Sequence, residues 1–119
     1  MGWHYRRSYE TVLVAQKPGA KCAWYDESHR IENVIRPGAI GKIIPSAEQH
    51  PTEKPVALGA HFIRLHTKPG GLVLDPFCGS GAFLEAASSL GRQYIGIDIS
   101  EHWCNVARER LRSVQPVLL

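Results

Sequence analysis

The stretch "VLDPFCGSGAF", Val73 to Phe83, joins an apolar run to an Asp-Pro pair and to two glycines one residue apart. The apolar run is typical of a strand buried on both faces of a parallel sheet. The residues that follow, Ala82 to Leu90, are rich in helix formers and end at Gly91, a common helix C-terminal cap. The sequence therefore predicts a strand, a tight glycine turn and a helix.

The segments on both sides extend this alternation. Pro55 suits the first turn of a helix, and apolar residues at helical spacing follow it as far as "KPGG" at 68–71. "QYIGIDIS" at 93–100 reads as a second buried strand, and Ser100 is placed to cap a helix that stops before Pro116. The pattern predicts a doubly wound α/β unit with parallel strands joined by a right-handed crossover.

The N-terminal part is less regular. "YETVLVAQK", Tyr9 to Lys17, is rich in β-formers and ends at a Pro-Gly turn, which predicts a strand. "CAWY" at 22–25 is a candidate second short strand, and the remainder up to residue 51 is expected to be loop-rich and exposed. We therefore divide one domain into a strand plus loop-rich segment, 1–51, and an α/β unit, 52–119.

Composition sets wide limits. A chain of 119 residues suits one domain, and 44% hydrophobic with 21% charged residues is ordinary for a globular protein. The net charge of +3 suits an anionic partner without identifying one. No apolar run reaches the roughly 18 residues of a membrane span, and the start lacks a signal-peptide core, so a soluble cytoplasmic protein is expected. The three cysteines are widely spaced, and we expect no metal site.

The glycine turn indicates an anion or nucleotide site, because a strand that opens a helix through glycines presents free backbone N–H groups and the positive end of the helix dipole. Gly79 and Gly81 supply unusual backbone angles and close approach. Asp98, seventeen residues after Gly81, can accept hydrogen bonds from both ribose hydroxyls. The alternatives are a tight turn with no ligand, and an Asp98 that only marks a helix entry.

The kind of nucleotide follows from what the motif lacks. A dinucleotide fingerprint requires a third glycine where Leu84 stands, and the chain has no Gly-Lys-Ser/Thr phosphate loop. The pattern favours S-adenosylmethionine, with a fragment of a dinucleotide-binding oxidoreductase as a weaker alternative.

Four stretches together resemble one family. "DPFCGSG" resembles the cofactor motif of the amino-group DNA methyltransferases, which methylate the exocyclic amine of adenine or cytosine. "HPTEKPVAL" resembles the motif that precedes it in a permuted class, "YIGIDIS" resembles the second cofactor motif, and "RRSYETVLVAQK" is similar to the upstream strand region. The resemblance implies an incomplete Rossmann-like methyltransferase fold, its C-terminal half. It also implies S-adenosylmethionine as cofactor and double-stranded DNA as substrate, with adenine favoured over cytosine, as in restriction–modification systems.

The resemblance also implies roles for matching residues. Asp75 would lie near the methionine amino group and Asp98 would bind the ribose. The residues expected to line the path of the methionine and adenosine are Phe77, Gly79 and Gly81, and those expected to close the pocket are Thr52, Lys54 and Pro55. For Lys54, a cation near the methionine carboxylate is favourable in itself, while a solvated lysine at a helix start is the alternative.

The family's catalytic motif, of Asp-Pro-Pro-Tyr type, is missing from this sequence. In the family it accepts hydrogen bonds from the target amine and stacks on a base swung out of the duplex. We therefore expect a chain that binds cofactor but is inactive alone. It would be completed by a partner chain carrying the motif, or it would be a non-catalytic remnant that binds cofactor or DNA; exposed sheet edge also favours homo-oligomers.

Basic residues in the first part of the chain are candidates for contact with DNA phosphates, which position a duplex without specifying its sequence. A solvated surface charge is the alternative for each of them. The candidates are Arg6, Arg7, Arg30, Arg36 and Lys42.

Overall fold

A computed structural model describes His4, residues 8–36 and residues 54–114 of the chain. All regular elements lie in the last of these ranges. They are α1 (Val56–His66), β1 (Leu72–Asp75), α2 (Ala82–Ser89), β2 (Gln93–Gly96) and α3 (Glu101–Arg112). The order helix, strand, helix, strand, helix confirms the alternation predicted from the sequence.

The two strands pair in parallel, with Leu72 opposite Gln93 and Asp75 opposite Gly96. Backbone hydrogen bonds extend the pairing at both ends: the Gln93 amide donates to the Gly71 carbonyl at 2.8 Å, and the Ile97 amide donates to the Asp75 carbonyl at 2.9 Å. Parallel neighbours need a crossover connection, and α2 provides it. The described sheet is therefore a single β–α–β unit.

The helix ends follow the local chemistry of the sequence. The Ser100 hydroxyl accepts a hydrogen bond from the Trp103 amide at 3.3 Å, so Ser100 is the predicted N-cap of α3. Gly91 follows α2 with φ of 71°, as expected after a helix. Pro55 lies one residue earlier than predicted: it is the extended N-cap of α1, with ψ of 139°, and not part of the first turn.

The core lies where α1 and α2 meet the sheet. Ile63 of α1 and Ala86 and Ala87 of α2 are buried, and Val73 of β1 packs against them. Because alanine side chains are short, α2 can lie close to its neighbours, and it contacts both strands and both other helices. The central position of α2 fixes where its N-terminus, and hence the glycine turn, must lie.

Gly96 is the point of closest approach between β2 and the α2 layer. A Cβ atom built at Gly96 would lie 2.3 Å from Leu84 Cδ1 and 3.1 Å from Cys78 Sγ. Any side chain there would overlap these atoms, so Leu84 packs directly on strand backbone.

The expectation that both strands are buried on both faces is wrong. One face of the sheet packs on helices, but Leu72 and Leu74 are 58% and 60% exposed on the other. The register places Ile95 opposite Leu74, and Ile97 follows on the same face; these are 49% and 53% exposed. We call these four residues the uncovered face, because residues 8–36 and 54–114 leave about half of each side chain exposed.

The predicted strand over Tyr9–Lys17 does not form, and neither does the short strand at 22–25. Tyr9 is 73% and Leu13 89% exposed. β-forming side chains favour a strand only when a neighbouring edge takes up the backbone N–H and C=O groups, and no described residue pairs with this segment in a sheet. The boundary at 51/52 falls outside the described residues and stays a prediction.

Within the part of the chain that the structure covers, no helix has the length and hydropathy required to cross a membrane.

Candidate functional site

The glycine turn, which we define as Asp75 to Gly81, leaves the carboxyl end of β1 and enters α2. Gly79 and Gly81 have φ of 50° and 85°, in the left-handed region that glycine adopts without a steric penalty. A Cβ atom at Gly81 would also lie 2.9 Å from Ala107 Cβ of α3. Gly81 is therefore required both for its backbone angle and for the approach of α3.

Hydrogen bonds fix the shape of the turn. The Asp75 carboxylate accepts from the Phe77 amide at 3.1 Å. The Gly81 amide donates to the Cys78 carbonyl at 2.8 Å, and the Cys78 amide donates to the Ile97 carbonyl at 2.9 Å. The last bond ties the turn to the residue that follows β2, so the ends of both strands form one unit.

Asp98 joins the same unit through its side chain. Its Oδ2 accepts from the Gly79 amide and its Oδ1 from the Ser100 amide, each at 2.9 Å. The structure thus brings Asp98 into direct contact with the glycine turn. A carboxylate oxygen can accept more than one hydrogen bond, so these two bonds do not by themselves prevent a ligand hydroxyl from donating to Asp98.

The open side of the turn faces solvent. Phe77 is 88% exposed, and Asp75 is half-buried. The turn lies at the carboxyl edge of parallel strands and at the N-terminus of a helix, the place where open α/β sheets bind nucleotides. Among the described residues, no group of three His, Cys, Asp or Glu side chains is placed to bind a metal ion.

The inner side of the turn is lined by a thiol. Burial raises the pKa of Cys78, and the nearby carboxylates of Asp75 and Asp98 raise it further. The Cys104 thiol lies in the same layer and donates to the Asp98 carbonyl at 3.5 Å. A buried thiol with a raised pKa favours the neutral form, which is the poorer nucleophile.

The structure describes two of the three residues expected to close the pocket, Lys54 and Pro55. Pro55 caps α1, and Thr52 lies outside the described residues. The Lys54 ammonium lies 2.5 Å from Glu10 Oε2, in an exposed ion pair that connects the two described ranges. No described contact joins Lys54 to the glycine turn.

Sequence reasoning missed three residues at the back of the turn, one of which, Arg110, contacts the other two. Ser80, between the two glycines, is 3% exposed. Arg110 of α3 places Nη1 3.3 Å from Ser80 Oγ, and its Nε donates to the Glu85 carboxylate in the first turn of α2. Their separation along the chain hides the contact, and the only signal is an acidic first turn in α2 and a basic last turn in α3.

The structure does not bring the predicted DNA-contacting residues to the turn. Arg36 lies 3.9 Å from Glu32, with both side chains exposed, and Arg30 is also exposed. No described contact links either to residues 75–81. Arg6, Arg7 and Lys42 lie outside the described residues.

Comparison with known proteins shows the family of the chain. The family model described as DNA methylase, for N6 and N4 methyltransferases, matches residues 1–109. The chain belongs to the amino-group DNA methyltransferase family.

Two curated relatives align with most of the chain. The type II methyltransferase M2.DpnII of Streptococcus pneumoniae is 34% identical over 119 residues, covering 92% of this chain and 44% of the relative. The type II methyltransferase M2.LlaDCHI of Lactococcus lactis subsp. cremoris is 32% identical over 117 residues, covering 91% of this chain and 44% of the relative. The chain therefore spans less than half the length of these family members.

A solved structure supports the fold directly. The crystal structure of the M1.HpyAVI–SAM complex matches with a TM-score of 0.60 and 35% identity, over 76% of this chain and 44% of that chain. The expected fold class is confirmed: an α/β, Rossmann-like methyltransferase fold that is incomplete in this chain.

Proposed function

We propose that this chain binds S-adenosylmethionine at the glycine turn. It would act as the cofactor-binding part of a DNA methyltransferase that modifies the exocyclic amine of adenine. The observation that carries the proposal is the hydrogen bond from the Gly79 amide to the Asp98 carboxylate, which connects the carboxyl ends of two parallel strands. The similarity to M1.HpyAVI, solved as a SAM complex, supports the choice of cofactor.

Each part of the cofactor has a chemical counterpart at this edge. The Asp98 carboxylate accepts hydrogen bonds from the two ribose hydroxyls, and the Asp75 carboxylate pairs with the methionine ammonium group. The exposed Phe77 ring and the bare backbone of Gly79 and Gly81 line the path between them. The positive end of α2 favours the methionine carboxylate.

Lys54, with Thr52 and Pro55, closes the pocket in this proposal. Its ammonium must exchange Glu10 for the methionine carboxylate when the cofactor binds. The pair is exposed, 45% for Lys54 and 72% for Glu10. An exposed ion pair contributes about 0–1 kcal/mol, so the exchange meets little resistance.

Methyl transfer in this proposal is a direct in-line displacement at the sulfonium methyl group, with the base amine as nucleophile. The chain orients the donor, but it holds no Asp-Pro-Pro-Tyr type motif to accept hydrogen bonds from that amine. We therefore propose that the chain is inactive alone and needs a partner chain carrying this motif. The uncovered face supports such a partner, because four large apolar side chains there are about half exposed in the described part of the chain.

The DNA substrate would meet basic residues of the first part of the chain. Arg30 and Arg36 are exposed, and the ion pair of Arg36 with Glu32 is long and exposed. Both guanidinium groups can therefore reach a phosphate. With Arg6, Arg7 and Lys42 they would neutralise phosphates, so DNA affinity should fall steeply with salt. Exchanging Arg30 and Arg36 for Gln should reduce the salt dependence, whereas Arg112→Gln, on α3 and paired with Glu109, should not.

Calorimetric titration with S-adenosylmethionine, with NAD as comparison ligand, tests the cofactor. We expect the chain to bind S-adenosylmethionine and not NAD. Asp98→Ala should weaken it by about 1–3 kcal/mol through loss of charge-assisted hydrogen bonds. The matched control is Asp26→Ala, which removes an exposed carboxylate bonded to Ser28 and His29 in the first range. Binding of NAD alone would refute the proposal.

A radiolabelled methyl-transfer assay on unmethylated DNA tests the second half of the proposal. Binding without transfer is the expected result for the chain alone, and transfer should appear when a chain carrying the catalytic motif is added. Transfer by the chain alone would contradict the proposed division of the active site.

A further inference from the structure

Arg110 connects α3 to the back of the glycine turn. Its side chain is 15% exposed, and its Nε donates to the Glu85 carboxylate, which is 29% exposed. Its Nη1 lies 3.3 Å from Ser80 Oγ and 3.5 Å from the Ser80 carbonyl oxygen. One guanidinium therefore contacts both the middle of the turn and the first turn of α2.

The turn needs such contacts because its sequence does not fix its shape. Glycine has little conformational preference of its own, and Ser80 is flanked by Gly79 and Gly81. Asp98 holds Gly79 from the β2 side. Ser80 is the other residue of the turn through which neighbouring elements can hold it. It is 3% exposed, so it faces protein and not solvent. A planar fork of donors suits this position better than a single ammonium group.

The charge of Arg110 also bears on the ligand. Glu85 lies in the first turn of α2, where its carboxylate stabilises the helix dipole but disfavours a second carboxylate nearby. The ion pair with Arg110 compensates this negative charge in a half-buried setting. The N-terminus of α2 then keeps its capacity for an anionic group.

We propose that Arg110 is a positioning residue for the cofactor site: it holds the glycine turn in its ligand-ready conformation through Ser80 and Glu85. The effect on the cofactor rests on the proposed binding of S-adenosylmethionine. The effect on the turn does not, because it concerns the free chain.

The chain offers a matched control in Arg92, which is buried. It donates from Nε to Thr67 Oγ1 at 2.9 Å, from Nη1 to the Leu90 carbonyl at 2.7 Å and from Nη2 to the Thr67 carbonyl at 2.8 Å. It lies at the amino end of β2, opposite the glycine turn. Loss of Arg92 should lower stability as loss of Arg110 does, without touching residues 75–81.

The experiment compares Arg110→Ala, Arg110→Lys and Arg92→Ala as full chains. Hydrogen exchange of the Gly79 and Gly81 amides is measured without ligand, thermal unfolding gives the stability, and titration with S-adenosylmethionine gives the affinity. In Arg110→Ala we expect roughly tenfold faster exchange at these amides and roughly tenfold weaker binding, the size expected for loss of hydrogen bonds to a charged group. Arg110→Lys should recover part of both, because it keeps the charge.

Two results would overturn the inference. The first would be that hydrogen exchange at the Gly79 and Gly81 amides rises no more in Arg110→Ala than in Arg92→Ala, when the two variants lose the same amount of stability. The other is full exchange protection in Arg110→Lys and Glu85→Gln, the variants to use if Arg110→Ala does not fold. If the unaltered chain fails to bind S-adenosylmethionine while the exchange difference is present, the proposed function fails and the holding of the turn stands.

Discussion

Residues 8–36 and 54–114 have similar kinds of side chain, but only the second range forms helices and strands. Both ranges contain runs of β-branched, aromatic and aliphatic residues. In the second range these residues form three helices and a parallel pair of strands around a small core. In the first, nearly every residue is exposed and none belongs to a helix or strand. The difference shows that β-forming composition specifies a strand only where a paired edge and a packing surface are available.

The two ranges meet at α1. The Tyr25 amide donates to the Leu65 carbonyl at 2.9 Å, and the Trp24 ring lies edge-on to His66 with centroids 5.6 Å apart. The Ala23 carbonyl lies 2.9 Å from His66 Nδ1. Because nearly every residue of 8–36 is exposed, substitutions in the first range should have small effects on the unfolding of the second.

The largest expected contrast is between two leucines. Leu84 is 3% exposed and packs on the Gly96 backbone, whereas Leu13 is 89% exposed. Leu84→Ala should lower the free energy of unfolding by about 2–5 kcal/mol, and Leu13→Ala should change it by less than about 0.5 kcal/mol. Urea unfolding of both variants provides the measurement. Equal losses would mean that the first range contributes to the folded core.

Two glycines with positive φ give the next contrast. Gly81 and Gly19 have φ of 85° and 77°, but only Gly81 has a close neighbour, Ala107. Gly81→Ala combines backbone strain with overlap and should lower stability by about 2–4 kcal/mol. Gly19→Ala meets open space in an exposed turn and should leave the main unfolding transition unchanged. A loss of cofactor affinity confined to Gly81→Ala would sharpen the contrast further.

Thiol chemistry separates the ranges in a different way. Cys22 is exposed, whereas Cys78 is buried and its pKa is raised by burial and by neighbouring carboxylates. Labelling at pH 8 should modify Cys22 quickly and Cys78 only on local opening, more than about tenfold more slowly.

The raised pKa of Cys78 also predicts a pH dependence of stability. Its contribution is fully present below the ordinary thiol pKa of about 8.5, and it is lost as pH rises through the higher folded value, because the unfolded chain then releases the proton more readily. Urea unfolding at pH 7 and at pH 9.5 should show this loss in the unaltered chain and a smaller loss in Cys78→Ala. Cys22→Ala serves as control, and an identical pH dependence in both variants would count against the raised pKa.

The smallest expected effect concerns the ion pair between the ranges. A double-mutant cycle on Lys54 and Glu10 should give a coupling below about 1 kcal/mol that shrinks in 1 M salt. If Lys54 binds the methionine carboxylate, Glu10→Gln should tighten S-adenosylmethionine binding and Lys54→Gln should weaken it. Lys68→Gln is the control, since Lys68 is exposed and lies over the Tyr25 ring. Tighter binding in Lys54→Gln would exclude it from the pocket.

The packed unit was largely predictable from sequence because its signals are local. The strand that runs into the glycine turn, the Ser100 cap and the glycine after α2 each depend on residues within a few positions, and the structure places all three as expected. The proximity of Asp98 to the turn could also be predicted from sequence, since parallel strands bring their carboxyl ends to the same edge of a sheet.

The remaining features depend on what lies next to a segment in space. Among the described residues, Tyr9–Lys17 has no strand to pair with, so the predicted strand does not form. The uncovered face has no covering layer there, so the expected burial of both strands was wrong. Arg110 was missed for the same reason. Its contacts with Ser80 and Glu85 span 30 and 25 residues and exist only once α3 packs beside α2.

The close approach at Gly96 has an evolutionary consequence. Because Leu84 and Cys78 fill the space where a side chain would stand, residue size at position 96 is coupled to residue size at 84 and 78. A relative with alanine at position 96 should carry a smaller residue at position 84 or 78. The residues at these three positions should therefore vary together while their summed side-chain volume stays constant. Substitutions that are individually disruptive would then become neutral in combination, which allows the layer beneath the cofactor edge to drift in sequence while its thickness stays constant.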